Sequence, residues 1–218
     1  MSTSAPGIDI LARGPWPADR VVAEWREDPF EPGAEATAAA DRKIAELRDR
    51  GSPSHDGVAA RLVDYSARGD ELHVELQPIR WALRLVDGDQ HASLSALCVT
   101  RAYDGRWLAG RRAPWVSSWA GRWALGAGGA VDAGESPADT LARELHEEWS
   151  VTPERVWGEA LLRLPQGMVM YLGQAWLPEG AEVTMDHEHD AHAWWPADPA
   201  EWPPEADEPL RRMAVMLA

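Results

Sequence analysis

Three glutamates, Glu144, Glu147 and Glu148, fall within the stretch RELHEEWSV. Their spacing is i, i+3, i+4, so on a helix all three carboxylates project from one side. Like charges at that spacing repel. Either the face is solvated and tolerates the repulsion, or a cation sits among the acids. Hard divalent cations such as Mg²⁺ take oxygen ligands from carboxylates, water and substrate phosphates. An ion held there would bridge phosphate oxygens and make a bound water more acidic and more nucleophilic. Metal-assisted hydrolysis of a phosphate linkage is therefore the chemistry open to this cluster, with plain surface charge as the alternative.

Positioning the acids requires a helix, and the sequence marks one from Pro137 to about Trp149. Ser136 is a cap, Pro137 suits the first helical position, and Asp139 stands three residues after the cap. Ala138, Leu141, Ala142, Leu145 and Trp149 form an apolar stripe beside the acidic one. Arg143 lies to the side, within reach of a glutamate on the helix or of Glu135. Strand-like stretches flank this helix: Ser93 to Arg101, Arg106 to Arg112 across the turn AYDG, and Gly121 to Leu125. RVWGEALLRL, GMVMYLGQAWL and HAWWP follow it. GAGGAVDAGES reads as a glycine-rich loop, and Pro209 to Leu217 as a closing helix with Leu210, Met213 and Met216 or Leu217 inward.

Ahead of Ala92, Ala36 to Arg50 is predicted as a helix ending at Gly51. Ala60 to Ser66 and Glu71 to Pro78 are predicted as a hairpin, its second arm placing Leu72, Val74 and Leu76 inward. The segment up to about Pro32 is read as irregular. A mixed α/β domain follows over 92–218, with 1–91 as an N-terminal extension or small subdomain carrying a helix and a β-hairpin.

The chain has 218 residues and a formal charge of −15. That charge argues against broad binding to DNA or to an anionic membrane. It leaves room for a small phosphorylated ligand, because bound cations invert the local field. No apolar run has the length of a membrane span. MSTSAPGIDILARG lacks the pattern of a signal peptide. The single cysteine, Cys98, excludes an intramolecular disulfide and a cysteine metal cluster. The expected location is cytoplasmic.

Read backward from the helix, the pattern is G-x5-E-x7-R-E-L-x-E-E-x-S-V, from Gly129 through Glu135 to Val151. It resembles the Nudix box, with Ser150 where the family has glycine. The resemblance covers about Ala92 to Ala218. It implies an α/β/α sandwich with a mixed sheet and hydrolysis of the diphosphate joining a nucleoside to a second group X. Carried over, Glu144, Glu147 and Glu148 are expected metal ligands for Mg²⁺ or Mn²⁺, and Arg143 the residue that orients a box glutamate. Glu135 is an expected loop-stabilising acid, and Gly129 the residue that permits a tight backbone path. The family glycine often takes a left-handed conformation, so Ser150 is expected to be strained there.

The family's general base is either a box glutamate, here Glu147, or an acid on a later loop. DHEHDAHAWW offers Asp186, Glu188 and Asp190, with Glu188 preferred. His187, His189 and His192 have the spacing of a metal site, but a polar loop is the better reading. RRAPWVSSWAGRW supplies Arg111 and Arg112 for phosphates, and Trp115 and Trp119 for stacking on a base. Trp123 reads as core.

The N-terminal block resembles, loosely, the extension of larger Nudix proteins, some of which cleave nucleotide sugars. It would cover the active site or make a homodimer contact. Three functions stand side by side: hydrolysis of a nucleoside diphosphate derivative such as a nucleotide sugar or ADP-ribose, removal of stray nucleoside triphosphates, and ligand binding or regulation without turnover.

Overall fold

A computed structural model describes residues 7–52, 56–116 and 119–217. The first six residues of MSTSAPGIDILARG, Ser117 and Ser118 of the arginine- and tryptophan-rich stretch, and the final Ala218 lie outside the described residues.

Strands with apolar residues on both faces need a layer on each side. An 8-stranded mixed sheet here has that need: in order it runs Asp9–Pro17, Arg155–Arg163, Val169–Trp176, Leu94–Arg101, Trp107–Arg112 and His189–Trp195, while Ala127–Ala130 adds to Leu94–Arg101 and Trp123–Leu125 to Trp107–Arg112. These strands are β1 (Asp9–Pro17), β5 (Leu94–Arg101), β6 (Trp107–Arg112), β7 (Trp123–Leu125), β8 (Ala127–Ala130), β9 (Arg155–Arg163), β10 (Val169–Trp176) and β11 (His189–Trp195). Helix α2 (Pro137–Trp149) covers one face, where Leu141, Leu145 and Trp149 pack with Leu94, Ala96, Cys98 and Tyr171. Helix α3 (Glu208–Leu217) covers the other, where Leu210, Ala214 and Leu217 pack with Val99, Leu125 and Leu172. This is the α/β/α sandwich that the box resemblance implies.

Helix α2 is also covered from outside. A 3-stranded sheet, β2 (Val21–Trp25), β4 (Glu71–Arg80) and β3 (Val58–Arg68), sends Val21, Leu62, Leu72, Val74 and Leu76 into the same core as the helix. Helix α1 (Ala34–Asp49) packs Ala40, Ile44 and Leu47 against Ile79 and against Ala82 and Leu83 of a 3-10 turn spanning Trp81–Leu85. Backbone bonds tie this sheet to the box loop: Ala60 N–H donates to Val131 O at 2.8 Å, and Trp25 Nε1–H to Glu135 O at 3.1 Å.

Several expectations need correction. The segment up to Pro32 is not irregular: β1 forms an edge of the main sheet against β9, and β2 runs parallel to β4. Its proline and glycine content hid strands whose partners lie more than forty residues away, as an edge position tolerates both. GAGGAVDAGES is not loop throughout, because Ala127–Ala130 pairs with β5. Ala142 is exposed, outside the apolar stripe, while Thr140, Glu144 and Glu148 are buried. Gln77, expected on the wet side of its strand, is buried; it accepts from Arg61 and donates to Asp28, each at 2.9 Å.

Candidate active site

The box helix begins as its sequence dictates. Ser136 Oγ accepts from Asp139 N–H, and the Asp139 carboxylate accepts from Ser136 N–H, a reciprocal capping box. It ends at Ser150 with φ 54° and ψ 34°, the left-handed conformation expected at that position. One turn of helix then sets Glu144 and Glu148 inward, with Glu147 between them left 55% exposed at its side chain.

Arg143 organises the first half of the cluster. Its Nε and Nη2 donate to the two oxygens of Glu135 at 2.8 and 3.1 Å. Its Nη1 donates to Glu144 at 2.7 Å and Glu147 at 3.0 Å, and Nη2 also reaches Ala130 O at 3.1 Å. Every guanidinium N–H is thereby used. Burial disfavours the charge on Arg143, but the Glu135 hydrogen bonds and the nearby carboxylates outweigh it and raise its pKa. Glu135 is held below its ordinary value: burial pushes upward, and the hydrogen bonds from Arg143 and Thr140 prevail.

Gly129 has a different use from the one its sequence context suggests. It sits in β8 opposite Ala96, and a Cβ there would meet Glu144 Oε1 at 2.1 Å. What the glycine permits is the close approach of a carboxylate to the strand, not a tight turn.

Arg112 organises the second half. Its Nη2 pairs with Glu188 at 2.8 Å, and its Nη1 stands 3.7 Å from Glu148. Glu148 Oε1 accepts from Gly128 N–H at 3.0 Å, while His189 Nε2 lies 3.7 Å from Oε2. Burial pushes the Glu148 carboxyl well above 4.5, against the Gly128 and Arg112 contributions, and raises Glu144 against Arg143. Burial also lowers His189, whose ring packs on Trp149 at 4.5 Å and whose Nδ1 faces Asp186 at 3.2 Å.

The later loop is fixed to the end of the box helix. Thr184 N–H donates to Trp149 O at 3.0 Å and Asp186 N–H to Glu148 O at 2.9 Å. Asp186 in turn accepts from Glu188 N–H at 3.0 Å. The three histidines of this loop do not converge: His189 is buried, His187 stacks on Trp115, and His192 meets the edge of Trp149.

Glu144, Glu147, Glu148, Glu188, Arg143, Arg112, Trp115 and Trp119 all line one open cavity of about 1980 Å³. Trp115 and Trp119 are 41% and 48% exposed; His187 stacks on one face of Trp115 and the Arg122 guanidinium stands 4.6 Å from the centre of the Trp119 ring, so a ligand would meet the opposite faces. Trp123 instead packs beside Trp195 in the core, as its strand suggests. Arg111 does not join the group. It points to the other side of β6, pairs with Asp190 at 2.6 Å and lines no part of the cavity. The sequence offered no signal for the bonds of Glu148 to Gly128 and Arg112, which depend on sheet register.

The donor chemistry fits a divalent cation. All the candidate ligands are carboxylate oxygens, and two of them are buried with their charge disfavoured, a cost that a cation beside them relieves. Among the described residues no three acidic, histidine or cysteine side chains stand together at metal-ligand spacing. Arg143 and Arg112 supply the positive charge between them.

The NUDIX domain model matches residues 91–215. Among solved structures, the chain is similar to the MutT protein of Methanosarcina mazei Go1, at 27% identity over 47% of this chain and 75% of that one, TM-score 0.40. It is also similar to the NUDIX domain of Shewanella oneidensis NrtR complexed with ADP ribose, at 22% identity over 63% and 99%, TM-score 0.45. A C. elegans Ap4A hydrolase aligns at 18% identity over 57% and 94%, TM-score 0.44. No curated protein matches. With the box carried on a helix inside an α/β/α sandwich and the domain match spanning more than half the sequence, the chain belongs to the NUDIX family.

Proposed function

We propose that this protein is a Mg²⁺- or Mn²⁺-dependent hydrolase that cleaves the diphosphate linkage of a small nucleoside diphosphate derivative, such as a nucleotide sugar or ADP-ribose. The observation that carries this reading is the single cavity onto which the box carboxylates, Glu188 and two exposed indoles all open.

Glu144, Glu147 and Glu148 would hold the divalent cation. When bound, the ion neutralises the diphosphate and acidifies a water. Arg143 holds Glu144 and Glu147 through its hydrogen bonds, which keeps both carboxylates at the cavity wall. Water attacks one phosphorus, the bridging P–O bond breaks, and the water's proton passes to a carboxylate. Glu188 is our assignment for that base, with Glu147 as the box alternative. Arg112 keeps Glu188 at the cavity wall and carries positive charge that would meet phosphate oxygens. Trp115 and Trp119 would stack on the base or another ring of the substrate.

The test is a panel of nucleotide sugars, ADP-ribose, dinucleotides and nucleoside triphosphates, incubated with and without Mg²⁺ and read by phosphate-linkage cleavage. Glu147→Gln and Glu148→Gln run alongside. Cleavage of a diphosphate derivative, dependent on Mg²⁺ and lowered about a hundredfold in the variants, is the expected result. A wild-type protein inert on the whole panel, or variants with full activity, would overturn it. Preference for triphosphates would shift the substrate and leave the chemistry in place.

A further inference from the structure

Arg84 lies in the 3-10 turn Trp81–Leu85, outside the matched NUDIX residues 91–215, yet it lines the same cavity as the box glutamates. Its Nη2 donates to Ser95 Oγ at 3.0 Å, and its guanidinium stands 5.6 Å from the centre of the Trp81 ring. Among the described residues, no carboxylate comes within ion-pair distance of it. The other cavity arginines differ. Arg112, Arg143 and Arg212 are paired with glutamates, Arg211 is bonded to backbone carbonyls, and Arg13 is exposed to water.

Among the described residues Arg84 makes one side-chain hydrogen bond, to Ser95, and a partly buried guanidinium without a paired carboxylate is costly unless an anion meets it. The strand register places this one near the acids. Ser95 is paired with Ala130, whose carbonyl accepts from Arg143, and the neighbouring Gly129 contacts Glu144. Burial lowers the Arg84 pKa, and Glu144 is the charge that opposes it.

We propose that Arg84, held by Ser95 and backed by Trp81, is a substrate-binding residue that takes a phosphate oxygen of the diphosphate on the side of the cavity facing the box glutamates. The region before the NUDIX domain thereby contributes directly to substrate affinity. This rests on the reading of the cavity as a diphosphate site, but not on turnover. The guanidinium offers a planar pair of N–H donors to a phosphate, which a lysine ammonium does not reproduce.

The test compares wild type, Arg84→Met and Arg84→Lys, with Arg111→Met as a control outside the cavity. Binding of ADP and of inorganic pyrophosphate, each with Mg²⁺, is measured by calorimetry, and Tm is recorded for each protein. We expect Arg84→Met to weaken binding tenfold or more, Arg84→Lys about threefold, and Arg111→Met not at all, with Tm nearly constant. A folded Arg84→Met that binds both ligands as wild type does overturns the proposal, as does a wild-type protein that binds neither. If Arg84→Met does not fold, Arg84→Lys decides: weaker binding at unchanged Tm supports the role, and unchanged binding overturns it. A wild-type protein that binds ADP through Arg84 but cleaves nothing would defeat the hydrolase reading alone.

Discussion

The two arginine-centred clusters on the cavity wall do similar electrostatic work but are assembled differently. Arg143 gathers Glu135, Glu144 and Glu147, all within one loop and helix. Arg112 gathers Glu148 and Glu188 from a different strand, helix and loop. The first is a local scaffold whose members are fixed once the helix forms. The second exists only because β6 pairs with β11 in a register that sets Arg112 opposite His189. The contrast suggests that the Arg143 cluster mainly stabilises the box, while the Arg112 cluster mainly tunes chemistry.

Substituting each arginine is the sharpest way to break that contrast. Arg143→Met leaves buried Glu144 without its partner and should cost about 3 kcal/mol of stability, read from urea unfolding. Arg112→Met frees Glu188 and should lower kcat/KM about a hundredfold, or about 2.7 kcal/mol of transition-state stabilisation. Equal effects of both changes on stability and on activity would erase the distinction.

Gly129→Ala tests the local cluster from the strand side. The added Cβ would strike the Glu144 carboxylate, so the expected loss is about 1–3 kcal/mol, measured by thermal unfolding. An unchanged Tm with unchanged activity would mean that Glu144 moves aside freely, and the scaffold is looser than its hydrogen bonds suggest.

The pH dependence of the metal-free protein tests the burial of one acid in each cluster. Burial raises Glu144 and Glu148 above 4.5. An acid raised in the folded state contributes stability fully below its unfolded value and loses it as pH climbs through the folded one. His189 acts in the opposite sense. Burial lowers it below 6.5, so its contribution is present above 6.5 and fades as pH falls through the folded value. Stability should therefore fall as pH climbs above 4.5 through the folded values of Glu144 and Glu148, with His189 opposing that fall below 6.5, and Glu148→Gln should flatten the slope. An unaltered slope in urea midpoints would show that the burial of Glu148 is not its source.

Ser150→Gly carries the smallest effect. The serine occupies a left-handed φ of 54°, which glycine accepts without cost, so a gain of up to about 1 kcal/mol is expected. A Tm rise of about 2–4 °C in calorimetry would match it. No rise would show that the serine is not strained at the helix end.

Much of the site was legible because it is local. The cap at Ser136, the carboxylate stripe, the Arg143–Glu135 pair and the left-handed Ser150 all lie within one loop and helix. The neighbouring sheet was less legible. The prolines and glycines of the first segment masked β1, and the small residues of Ala127–Ala130 masked β8, because strand identity there comes from a partner rather than from side-chain alternation. Arg111 and Arg112 are adjacent letters of the same type, yet strand geometry sends them to opposite faces, and one of them reaches the cavity.

By itself, then, the sequence determined the box helix, its caps, its acids and the family, since short-range hydrogen bonds and a 3.6-residue period are written in neighbouring residues. Only the tertiary structure decided which carboxylates are buried, that Gly129 makes room for Glu144, and that Arg112 and Arg84 come to the same cavity. Those facts depend on sheet register and on layers that pack across the chain, and neither is encoded in any single stretch of it.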